Sequence, residues 1–80
     1  MKNDVEILKV ITSRFPNYKD FINELFEESE SFRTLCENYY DCKMVLDKSI
    51  LINNKTNDMI KEYQILLTEI EDELLEKLSI

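Results

Sequence analysis

The side chains of this chain that could act on a ligand are carboxylates and two thiols. Glu69, Asp72, Glu73 and Glu76 stand at i, i+3, i+4 and i+7. That spacing gathers them on one side of a helix, where carboxylate oxygens can collect a hard cation such as Mg²⁺ or Ca²⁺. The same side faces away from the apolar positions of its segment, so a solvated acidic surface is the expected role. Glu27, Glu28 and Glu30 fall at a break in the apolar pattern and read as helix-end charges. Cys36 and Cys42 are six residues apart. Within one helix a rise of ~1.5 Å per residue would separate them by ~9 Å, beyond the ~7 Å a disulfide spans. Two thiols without histidine also fall short of a four-ligand zinc site. They read as small apolar fillers in a reducing compartment, with a redox-sensing or intersubunit thiol as the alternative.

What is missing narrows the chemistry further. The 80 residues include no histidine, so Ser-His and Cys-His pairs and the Glu-x-x-His di-iron pattern are excluded. They include no glycine, and phosphate-cradling loops and dinucleotide fingerprints are built on glycine. No enzymatic activity, cofactor, metal or small-molecule substrate is expected.

Seventeen acids against ten bases leave a net charge of −7. By segment the count is +1 over 1–18, −5 over 19–41, +2 over 42–56 and −5 over 57–80. The one positive patch in the second half holds only Lys43, Lys48 and Lys55, too few to track a phosphate backbone, so no nucleic-acid partner is expected. An anionic membrane is disfavoured for the same reason. No stretch approaches the ~20 apolar residues of a membrane-spanning helix. Glu6 and Lys9 interrupt the apolar run Val5–Ile11, which argues against a signal peptide, and neither a Cys-a-a-X box nor Met-Gly is present. A cytoplasmic location is the expectation.

The elements that must position these side chains are helices. Strand hairpins lean on glycine at positive φ, whereas this chain is rich in Leu, Glu, Lys and Ile and has no proline after Pro16. Over 4–13, Asn3 or Asp4 can cap a helix with Glu6 in its first turn, although Val5, Ile7, Val10, Ile11 and Thr12 are β-branched. Pro16 ends that run and opens the next. Across 17–28, Tyr18, Phe21, Ile22, Leu25 and Phe26 form one apolar face, and Ser29 before Glu30 reads as an N-cap at a bend. From 30 to 52, Phe32, Leu35, Tyr39, Cys42, Leu46 and Ile50 share a narrow stripe. Asn53 or Asn54 closes that helix in the turn-rich stretch 53–57, and Thr56 or Asn57 caps the last one. From 57 to 78 a second stripe holds Ile60, Tyr63, Leu67, Ile70, Leu74 and Leu78.

The two long helices, ~34 and ~33 Å, have matching seams and a short polar connection. The expected fold is a single all-α domain over 1–80. It is an antiparallel, coiled-coil-like helical hairpin of two long helices, preceded by one or two short N-terminal helices. Two helices of this size bury too little apolar surface to stand alone, so the pair needs a third surface. Residues 17–28 offer one and a second subunit another. Apolar residues also lie off the seams. Tyr40, Met44 and Leu51 group ~100–140° from the main stripe of their helix, Ile65 faces opposite its seam, and Leu75 flanks it. Two readings stand: the 17–28 helix covers the first group and Ile65 is a stray exposed residue, or part of this surface is a self-association or partner interface.

The stretch Phe15-Pro16-Asn17-Tyr18-Lys19-Asp20, followed by Phe21-Ile22, resembles the opening of the YdcH-like family of small bacterial proteins of unknown function. Ser29-Glu30 ahead of Phe32 and Leu35 is similar to that family's bend before its second helix, and Ile70-Glu71-Asp72-Glu73 to its closing motif. The resemblance covers residues 15 to about 78 and leaves 1–14 as an extension. Two of the family's polar stretches are replaced here by Tyr39-Tyr40-Asp41-Cys42-Lys43 and by Tyr63-Gln64-Ile65-Leu66-Leu67. The resemblance implies an α-hairpin fold and no activity, and loss of the basic run in the last helix argues against anion binding.

Composition and pattern together favour a non-catalytic, self-associating interaction module, with Tyr40, Met44, Leu51, Ile65 and Leu75 as the partner surface. The alternative is an acidic adaptor or inhibitor of a basic protein, motivated by the two −5 segments.

Overall fold

The computed structural model describes residues 3–52 and 57–79, and side chains within 3–48 and 58–79. The chain is all-α. Its elements are α1 (Asp4–Arg14), a 3₁₀ turn (Pro16–Tyr18), α2 (Lys19–Glu28), α3 (Glu30–Ile52) and α4 (Asn57–Leu78), and no strand occurs among the described residues.

Each of the early boundaries has a local cause. The Asn3 side chain, on extended backbone, accepts a hydrogen bond from the Val5 amide at 2.9 Å and starts α1. The β-branched residues do not prevent the helix, because Ile7 and Ile11, one turn apart, are both 0% exposed and packed into the core. Phe15 stands before proline and takes φ −126°, ψ 67°, which ends α1. Pro16 then opens the 3₁₀ turn, closed by the Tyr18 amide on the Phe15 carbonyl at 3.1 Å.

This turn corrects the expected helix over 17–28, which begins only at Lys19. Tyr18 therefore does not share the apolar face of Phe21, Ile22, Leu25 and Phe26. A 3₁₀ turn advances ~120° per residue rather than ~100°, and the phenol sits in an exposed position. Ser29 serves two helices. Its amide donates to Leu25 O at 2.8 Å to close α2, and its Oγ accepts from the Phe32 amide at 3.2 Å to open α3. Arg33 locks the bend from the far side, donating to the Phe26 carbonyl from Nε and Nη2 at 3.1 Å each and stacking over the Phe26 ring. A cation on the last carbonyls of a helix meets the negative end of its dipole.

α3 packs against α1, α2 and α4 in turn. The core lies at the first half of α3, where Phe32, Cys36, Tyr39 and Cys42 meet Ile7, Ile11 and Phe15, Ile22 and Phe26, and Ile70, Leu74 and Leu78. Residues 4–14, outside the family resemblance, are thus integral to it. Along α4 the stripe is buried only in its second half: Ile60, Tyr63 and Leu67 are half-buried, while Ile70, Leu74 and Leu78 are covered. The caps expected at Asn53, Asn54, Thr56 and Asn57, and the position of Ile50 in the stripe, lie outside the described residues and side chains. No helix among the described residues is long and apolar enough to cross a membrane.

Candidate functional site

Two grooves border the α3–α4 contact. The first, of about 530 Å³, runs under α1 and is lined by Lys9, Val10, Arg14, Met44, Leu67 and Glu71 among others. Its wall carries a polar clasp that ties three helices together. Arg14 donates to Glu71 Oε1 at 2.9 Å, and the Tyr39 hydroxyl donates to Glu71 Oε2 at 2.9 Å. Burial by itself would raise the Glu71 pKa. The hydrogen bonds from Arg14 and Tyr39, with the charges of Arg14 and Lys43, outweigh it and hold the carboxyl below its ordinary value. Burial and the bond to this carboxylate push the Tyr39 phenol well above its usual range. The hydrogen bond to Glu71 raises the Arg14 guanidinium. All three groups are paired within the protein, so the clasp joins α1, α3 and α4 and holds no group aimed at a ligand.

The second groove, of about 450 Å³, is lined only by α3 and α4: Leu35, Asn38, Asp41, Cys42 and Val45 from one helix, Tyr63, Leu66, Ile70 and Glu73 from the other. Its floor is apolar. On α4, Met59, Tyr63, Leu66 and Ile70 stand at i, i+4, i+7 and i+11, a stripe on the shoulder of the buried seam. Leu66 is 43% exposed.

Among the described side chains expected to form a partner surface, Tyr40, Met44, Ile65 and Leu75, no single face gathers all four. Tyr40 is half-buried against the core, and its hydroxyl donates to Glu6 Oε2 at 3.0 Å. That bond raises the phenol's pKa. Met44 lies in the groove beneath Lys9 and Val10. Tyr40 and Met44 both meet α1, whose Glu6 accepts from the Tyr40 hydroxyl and whose Lys9 and Val10 line the groove with Met44. The Leu51 side chain lies outside those described. Ile65 is 54% exposed and Leu75 38% exposed, at separate positions around α4. Sequence reasoning missed Leu66 and Val45 and placed Leu35 in the seam of α3. The signal was present in the Met59-Tyr63-Leu66-Ile70 spacing, masked by the stronger stripe beside it.

The thiols are unsuited to reaction. Cys36 has no exposed surface and burial pushes it up to about 12. Burial raises Cys42 as well, and its thiol donates to the Tyr63 carbonyl at 3.4 Å. A thiol held protonated and covered is a filler rather than a nucleophile. Glu69, Asp72, Glu73 and Glu76 are all exposed, and among the described residues no group of three or more potential ligands is placed to hold a metal ion. Comparison of the chain with protein-family profiles, with curated proteins and with solved structures found no match.

Proposed function

We propose that this chain is a non-catalytic helical-hairpin interaction module that docks another protein on the α3–α4 face. The hairpin reading rests on two contacts. Tyr39 meets Glu71 and Cys42 meets the Tyr63 carbonyl, so the partner moves back along α4 as α3 advances, the signature of an antiparallel pair. Seams spaced by three and four residues support coiled-coil-like packing between them. The likeness of Phe15–Asp20 to the YdcH-like opening fits the same fold and adds no activity.

The observation that carries the docking role is the apolar groove around Leu66, lined by α3 and α4 alone while α1 and α2 cover the other side of α3. Its occupant is another protein: a second copy of the chain, or a basic partner drawn by the net charge of −7. Leu66→Glu tests the role. A contact surface tolerates the change, so the melting temperature stays within a few degrees of the parent. A fall of more than about 5 °C, roughly 1 kcal/mol for a domain of this size, assigns Leu66 to the core and removes the reading. Light scattering separates the occupants, since a 9.6 kDa monomer at hundreds of micromolar eliminates the second copy.

A further inference from the structure

The apolar floor of the α3–α4 groove carries acid at its edges, with Glu73 in its lining on the α4 side. Around Leu66, Glu62, Glu69 and Glu73 stand at i−4, i+3 and i+7, on the same side of α4, and all three are exposed. Among the described residues no hydrogen bond or ion pair engages any of them. Asp41 lines the groove from α3. A second copy docking face to face would bring two such collars together, and like charges brought close at an interface oppose association.

We propose, building on the docking role above, that this groove takes an amphipathic helix from a basic partner protein. Its apolar face lies over Leu35, Cys42, Val45, Tyr63 and Leu66, and its Lys or Arg residues meet Glu62, Glu69 and Glu73. The span from Leu35 to Val45 is ~15 Å, nearly three turns of helix, which matches anchors at i, i+3, i+7 and i+10 in the ligand. Apolar anchors set the seating, and the acidic collar sets which helix is accepted. Lysine and arginine stems add apolar cover along the rim while their heads reach the carboxylates.

The test uses the full chain and a fluorescent Leu/Lys peptide of ~18 residues, five turns, with leucines on one helical face. The expected result is saturable binding, weakened about tenfold or more by 0.5 M NaCl and about tenfold or more by Leu66→Glu. Leu66→Glu adds negative charge, so a loss there reports the apolar seat rather than general attraction. A peptide of the same composition with its leucines scattered, and one with Glu for Lys, should both fail. Equal binding of the scattered peptide, or unchanged binding to the L66E variant, overturns the proposal by showing acid attraction without a groove. If no peptide binds but the chain forms dimers that Leu66→Glu dissolves, the docking role stands and the basic helix falls. If no peptide binds and the chain stays monomeric, both fall.

Discussion

Glu71 shows how one carboxylate can be worth more than its position in an acidic segment suggests. Seven of its neighbours on α4 between 62 and 76 are polar and exposed, yet its own side chain is only 18% exposed and joined to two other helices. Arg14 is half-exposed, so the ion pair is discounted for solvent, and the shared bond from Tyr39 carries much of the value. Glu71→Gln is expected to cost about 1 kcal/mol near neutral pH, read by urea denaturation. Because folding lowers the Glu71 pKa, the stability it supplies is whole above the ordinary carboxylate value of 4.5 and is lost as pH falls through the lower folded value. The parent and the variant should therefore converge in stability in acid. A gap that persists or widens below pH 4.5 would remove the charged clasp.

At the scale of elements, α1 is the instructive case. By propensity it is a poor helix, with β-branched residues through its middle. It forms because Asn3 satisfies an end amide and because Ile7 and Ile11 fill the core beside Phe15 and α3. Ile11→Ala should then cost about 2–5 kcal/mol, comparable to a truncation in α3 or α4 and unlike one in a loose extension. Ser29→Ala, which removes only the side-chain acceptor at the α2–α3 bend, should cost about 1 kcal/mol. Thermal melting of the two variants checks both, and an Ile11→Ala change below about 0.5 kcal/mol would show α1 to be dispensable.

The whole molecule is uneven along its length. Its extents are 38 × 26 × 21 Å, because three layers of helix meet at the first half of α3 while α4 from 58 to 67 is covered mainly by α3. Local opening costs least where the fewest buried apolar contacts must break. Amides of 32–42 and 70–78 should exchange slowest with solvent deuterium, approaching the global limit, and those of 58–66 should exchange faster. Uniform protection from end to end would mean that something else covers the thin part of the pair.

Helix class, the bend at Ser29 and the break at Pro16 were readable from the chain, because capping, proline stereochemistry and apolar period act within four residues of sequence. The start of α2 at Lys19 was not. Proline's fixed φ and missing amide donor suit the first turn of an α-helix and a 3₁₀ turn alike, so no local rule chooses between them. The groove around Leu66 was hidden for a related reason. A residue on the shoulder of a stripe is core or surface according to which neighbour arrives, and α1, packing on the other side of α3, left that shoulder open. Tyr40 and Met44 were covered by the same arrival. Likewise, Arg14, Tyr39 and Glu71 stand far apart in sequence, and no local rule joins them. Short-range physics determined which segments are helices and which edges are apolar; only packing in three dimensions decided which of those edges stayed uncovered.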